Sequence, residues 1–221
     1  MKIGVITNLI KIDEFVSKKM ATADTDSWME ATGGNTGNVA FVQGIKNILG
    51  DDFGVVNWGD NPEAVNRYYD MLVICCANQI GAHVDLSGWA DRLKHFDLPT
   101  VFIGLGAQSE AIGTMPDIPE GSREFLTLTK SLRPDDTKSN IITRGTFSTE
   151  VLAHYGVESS PFGCPSQFIS TELDLGQKCL AHQQRTKFDR IMTAAGNPWH
   201  PAWQPHGRQP ARRHQHPALH R

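Results

Sequence analysis

The chain has 221 residues, 39% hydrophobic and 20% charged, which is enough apolar material for a full core and excludes a disordered chain. Its formal charge of −3 gives no general basis for binding nucleic acid or a membrane surface, so partners have to be argued from local sites. Four cysteines, two of them the adjacent Cys75 and Cys76 in an apolar run, fit neither a disulfide framework nor a zinc spacing and are expected to be reduced and mostly buried.

The opening MKIGVITNLI has one lysine and a short apolar run broken by Thr7 and Asn8, without a small-residue cleavage site after it. It reads as a buried strand from Lys2 to Thr7 and not as a signal peptide. No stretch approaches the roughly 20 apolar residues of a membrane span, and the expected location is the cytoplasm. Residues 32 to 45, TGGNTGNVAFVQGI, then set Gly33, Gly34, Asn35, Gly37 and Asn38 before apolar residues at helical spacing (Val39, Phe41, Val42, Ile45, Ile48, Leu49). Glycine costs roughly 1 kcal/mol against alanine inside a helix, so the segment predicts a loop running into a helix over 37–49. The N-terminus of such a helix suits a phosphate or carboxylate. A tight turn with an Asn or Thr cap is the competing reading, because the segment matches neither of the glycine-rich phosphate loops with defined mechanics.

Further apolar runs predict strands at 54–58, 71–76, 100–105, 140–143 and 190–194, with helices at 62–69, 87–95, 121–132 and 146–154 between them. Uninterrupted apolar strands alternating with helices predict a parallel sheet covered on both faces, a Rossmann-like α/β layout. Ligands in such sheets sit beyond the carboxyl ends of the strands. The small and polar stretches CANQIGAH, GLGAQ, RGTFS and GCPSQF are therefore expected to face one crevice together with the opening loop. GLGAQ lacks the third glycine of the dinucleotide fingerprint, and no glycine-rich turn follows the first strand, which argues against a dinucleotide oxidoreductase. Trp28, Trp58 and Trp89 read as core or rim packing, with stacking on a sugar ring as the alternative.

The composition changes after Gly196. Residues 197–221 hold five of the nine histidines, five of the twelve prolines and four arginines, with no acid. Three readings compete: a basic interaction tail, a metal-binding tract at His214 and His216, or translation in a shifted frame, which the abrupt loss of acids favours. The expected organisation is a Rossmann-like N-terminal domain over 1–189, the start of a truncated second domain over 190–200, and an irregular tail over 201–221.

Taken in order, GGNTGN before a helix, CANQ after a strand, IGLGAQ, ITRGTFSTEVLAHYG and FGCPSQF resemble the polysaccharide pyruvyl transferases across about residues 1 to 200. The resemblance implies the N-terminal half of a glycosyltransferase-B-like, two-domain fold. It also implies transfer of pyruvate from phosphoenolpyruvate onto two sugar hydroxyls as a ketal, in exopolysaccharide or cell-wall assembly. The implied partners are phosphoenolpyruvate as donor substrate and a glycan or lipid-linked oligosaccharide acceptor, with peripheral association to membrane-bound glycan assembly; no nucleic acid, metal or further cofactor is expected. Many members carry Asp where this chain has Asn38. A catalytically inactive remnant and a sugar transferase of the same architecture are the alternative readings.

Ketal formation needs anchoring of phosphate and carboxylate, charge stabilisation at the reacting carbon and a base for the attacking hydroxyl. Arg144, at the end of a predicted strand, is the expected anchor through its planar fork, with a solvent arginine or one paired to Glu150 as the alternative. Gly33, Gly34, Asn35, Gly37 and Asn38 are expected to line the cleft, and Asn78 and Gln108 to bind sugar hydroxyls or cap neighbouring segments. His83 and Asp85 are the candidate base and its orienting partner, against a plain surface-loop histidine. Cys164 reads as a small buried thiol, with a role as acid or nucleophile the alternative, and Pro165 and Ser166 as a helix start, with Ser166 a minor candidate for ligand contact.

Overall fold

Valine, isoleucine, leucine and phenylalanine run almost without polar interruption through IGVI, MLVIC and TVFIGLGA, and these runs form the middle of a seven-stranded sheet. The computed structural model describes residues 1–7, 26, 37–50, 52–111, 113–134 and 139–187. In chain order the elements are β1 (Ile3–Ile6), α1 (Gly37–Leu49), β2 (Phe53–Val56), α2 (Pro62–Tyr68), β3 (Met71–Cys75), β4 (Asn78–Ile80) and α3 (Ser87–Leu93). They continue with β5 (Thr100–Ala107), α4 (Glu120–Ser131), β6 (Ile141–Thr143), α5 (Thr146–His154), β7 (Ser160–Pro161), a 3-10 helix (Pro165–Phe168) and α6 (Leu175–Arg185). The protein is a Rossmann-like α/β fold, as the alternation of elements predicts. The helices α1 and α5 span the residues expected of them.

The strand order is β2-β1-β3-β5-β6-β7, with β4 added alongside the end of β5, and every pairing among the described residues is parallel. Side chains alternate between the two faces, as the period of a strand requires. Leu72, Ile74 and Phe102 join Val65 of α2, Leu93 of α3, Phe125 of α4 and Val151 of α5 in one core. Val5, Val73 and Ile103 join Phe41, Val42 and Ile45 of α1 in a second core on the opposite face. Local signals set the helix starts: Pro62 opens α2, and the Asn61 side chain accepts from the Glu63 and Ala64 N–H groups at 2.8 and 3.4 Å.

The segment FGCPSQF does not open onto the crevice where it was expected. It lies along α1, where Asn47 Nδ2 donates to the Phe168 carbonyl at 2.7 Å and a Cβ on Gly44 would fall on the Pro165 carbonyl. None of its residues lines the pocket at the carboxyl ends of β1 and β3, so this part of the single-crevice expectation is corrected.

By compactness the chain divides into a unit spanning Met1–Cys179, which holds all seven strands, and a second spanning Leu180–Arg221. The sequence had set the boundary at 189. Helix α6 has no buried residue. The strand expected at 190–194 and the His/Pro/Arg-rich tail lie outside the described residues. Among the described residues no helix is long and apolar enough to cross a membrane.

Candidate functional site

The chain leaves β1 for β2 on one side and then crosses to β3 on the other, so the connections part at the carboxyl ends of β1 and β3. A doubly wound sheet opens a crevice at such a switch point. A pocket of about 120 Å³ lies there, walled by Thr7 after β1, Asn38 and Phe41 of α1, Trp58 after β2, Cys76 after β3 and Arg144 after β6. The first turn of α1 carries no acidic residue, and Asn38 of that turn is part of the wall.

Among the described residues Arg144 is the one charged member of this lining. It is half-buried and pairs with no carboxylate among the described residues; Glu150, its candidate partner, is exposed. Its main-chain N–H donates to the Leu105 carbonyl at 3.1 Å. In the side chain, Nε donates to the Gly104 carbonyl at 2.9 Å and Nη2 makes a long hydrogen bond to the Cys76 carbonyl at 3.5 Å. The guanidinium carbon stands 5.3 Å from the centroid of the Phe41 ring, a cation–π contact. Main-chain carbonyls and a ring thus orient the fork, and none of these contacts neutralises it. The Nη1 hydrogens and the second Nη2 hydrogen have no acceptor among the described residues.

The other described lining residues are uncharged. Burial pushes the Cys75 thiol up to about 12 despite a hydrogen bond with the Thr7 side chain. Burial also raises Cys76 well above the ordinary thiol range, and the Arg144 charge opposes that only in part. Neither sulfur is a thiolate nucleophile near neutral pH. Trp58 and Trp89 pack with ring centroids 4.6 Å apart, both line the pocket, and Trp89 is backed by an edge contact to Phe125 in the core at 5.9 Å. The Gln79 side chain also faces the pocket and accepts from the Ala77 N–H at 2.8 Å.

The structure brings some of the expected site residues together and leaves others apart. Asn38 and Arg144 share the pocket, and Gly37 opens α1 beside it. Gly33, Gly34 and Asn35 lie outside the described residues, as does Trp28. Asn78 is exposed at the start of β4, with its side chain over Gly106. Gln108 is exposed just past β5, its N–H bound to the Ile80 carbonyl at 2.8 Å. Ser166 sits in the 3-10 helix and donates to the Cys164 sulfur at 3.1 Å, away from the pocket lining.

The expected base-and-orienter pair does not form. His83 Nε2 is 3.0 Å from the Asn78 carbonyl, Asp85 accepts from the Ser87 N–H at 2.9 Å at the start of α3, and no hydrogen bond joins the two. The Asp85 carboxylate serves the nearest unpaired helix N–H instead, the usual outcome for an acid two residues before a helix. Sequence reasoning missed Phe41, Gln79 and Gly104 as parts of the site. The glycine in the middle of an apolar strand run was the available signal for Gly104, since an isolated strand glycine marks a bulge or a close approach.

Comparison of the chain with family models, with curated proteins and with solved structures gave no match.

Proposed function

We propose that the described domain is the donor-binding part of a group transferase acting on an oxyanionic substrate. Within that class, we propose a polysaccharide pyruvyl transferase that takes pyruvate from phosphoenolpyruvate to sugar hydroxyls in a cytoplasmic step of glycan assembly. The observation that carries this reading is Arg144: half-buried at the switch point of the sheet, held by main-chain carbonyls, and paired with no acid among the described residues. A cation so placed favours a carboxylate or phosphate, for which a planar fork offers a bidentate grip. The pocket is small, which suits a compact donor better than a dinucleotide.

The same observations divide the labour of the reaction. The described lining holds no carboxylate and no imidazole, so its part is to bind and orient the donor and to offset negative charge. Trp58 and Trp89 present apolar ring surface beside that cation, a wall against which a sugar ring or the methylene end of the donor packs.

Calorimetric titration with phosphoenolpyruvate tests the reading. The wild-type chain is expected to bind, and Arg144→Ala to lose about tenfold or more in affinity, the effect of removing hydrogen bonds to a charged group. Circular dichroism checks that the variant is folded. Absence of binding by the folded wild type, or an unchanged affinity in Arg144→Ala, would overturn the proposal.

A further inference from the structure

An arginine side chain is long and flexible, so it discriminates between anion geometries only if its fork is oriented beforehand. Strand β5 supplies the orientation through residues 104–106, Gly-Leu-Gly. The pairing of β5 with β6 shifts register between Ile103 and Leu105, and Gly104, in between, has a φ of 80°. This is the left-handed conformation of a glycine bulge, a device that re-aims groups at the rim of a sheet. Here the Gly104 carbonyl faces Arg144 and accepts from Nε.

Space at these positions is as restricted as conformation. A Cβ at Gly104 would stand 2.7 Å from Phe41 Cε2 and 3.1 Å from Pro165 Cδ, displacing the ring that the guanidinium rests on. A Cβ at Gly106 would fall on the Asn78 side chain and lie 3.3 Å from Arg144 Cδ. One glycine therefore provides the acceptor, and the other leaves room for the aliphatic stem of Arg144.

We infer that the Gly104–Gly106 bulge is a positioning device for Arg144. Its Gly104 carbonyl holds Nε while the Cys76 carbonyl takes one Nη2 hydrogen, which fills the Nε/Nη2 edge of the guanidinium and leaves the Nη1/Nη2 end for the pocket, so that a carboxylate or phosphate group is gripped end-on. Gly104 touches no ligand and acts through Arg144. The inference rests on the reading of the pocket as an oxyanion site, and the test separates the two.

Nitrogen-15 spectra of the arginine side chains, with Arg144 assigned from Arg144→Lys, provide the readout. The Arg144 Nε–H is expected to exchange with water about tenfold or more slowly than that of the exposed Arg67, as a bonded hydrogen does. Titration with inorganic phosphate and, separately, with pyruvate is expected to move the Nη signals and leave Nε in place; the two arms tell phosphate from carboxylate recognition. In Gly104→Ala the slow exchange is expected to disappear with the far-UV dichroism retained, and phosphoenolpyruvate affinity to fall about tenfold, as for loss of a charged hydrogen bond. Should that variant fail to fold, the wild-type exchange rate decides: an Arg144 Nε–H as labile as that of Arg67 overturns the inference. So does a folded Gly104→Ala that keeps its protection. A protected Nε–H with no response to phosphate, pyruvate or phosphoenolpyruvate supports the positioning device and sinks the oxyanion reading alone.

Discussion

Among the described residues, one face of the sheet is covered by α2, α3, α4 and α5, and the other by α1 with the 3-10 helix. The first face encloses Leu72, Ile74, Phe102, Leu105 and Phe125 completely or nearly so. The second leaves Phe41 and Ile103 slightly open and keeps an apolar hollow of about 290 Å³ among Ile48, Ile103, Ile142, Phe162, Pro165 and Phe168. The pocket with Arg144 is bordered by α1, so Phe41 serves both the thinner core and the guanidinium. The difference teaches that, among the described residues, the tighter packing lies on the face away from α1, while the candidate site draws on both faces, with Trp58, Cys76 and Trp89 from one and Phe41 and Cys75 from the other.

The sharpest way to break this comparison is a pair of adjacent truncations in β5. Phe102→Ala, on the four-helix face, is expected to lose about 3–5 kcal/mol, because a fully enclosed ring leaves a cavity that its neighbours cannot fill. Ile103→Ala, on the other face, is expected to lose about 2 kcal/mol, the low end for such a change, since its side chain already borders a hollow. Urea unfolding measures both. Equal losses would mean that the two faces are equally well packed.

A pair of glycine substitutions sharpens the contrast between packed and open helix surface. Gly44 on α1 faces the Pro165 carbonyl, and Gly88 on α3 is exposed, with nothing within 4 Å of where a Cβ would stand. Alanine at 88 is expected to stabilise by about 0.5–1 kcal/mol through the smaller entropy of the unfolded chain. Alanine at 44 gains the same term but forces the FGCPSQF segment off α1, for a net loss of about 2 kcal/mol from overpacking. Thermal unfolding should therefore move in opposite directions for the two variants. A rise in both would show that the contact between α1 and the 3-10 helix is soft.

These contrasts also explain which features the sequence disclosed. The central strands were legible because burial on both faces makes IGVI, MLVIC and TVFIGLGA apolar throughout. The helix over 37–49 was legible because its residues facing Val5 and Val73 recur at helical spacing. Strand β4 was not, since NQI is short and polar and pairs only with the end of β5 past the Gly104 bulge. Strand β7 is two exposed residues, and α6 buries none, so neither carries a periodic apolar signal. At the site, Arg144 was legible from its place after a strand, but the carbonyls that orient it are 40 and 68 residues away in sequence, and nothing local announces them. His83 and Asp85 misled for the opposite reason. Their nearness in sequence suggested a pair, whereas each bonds to the main chain around it.

An effect confined to alkaline pH and absent near neutrality comes from the Cys75 thiol at the pocket wall, and its sign follows from burial. Cys75 titrates near 12 in the folded protein against 9.0 for an unperturbed thiol, so the folded state holds this proton more tightly than the unfolded one does. The associated stability is fully present below pH 9.0 and is lost as pH rises toward 12. By about pH 10 the loss attributable to this group is about 1.4 kcal/mol, one unit of linkage. Replacing it with alanine removes the titrating group, so the stability of Cys75→Ala should decline less steeply above pH 9.0 than that of the wild type. Urea unfolding at a series of alkaline pH values measures the slope. Parallel slopes would mean that the sulfur is hydrated at the pocket wall, and the thinner packing on the α1 face would then extend to the floor of the site, leaving Cys76 to close it from the four-helix side.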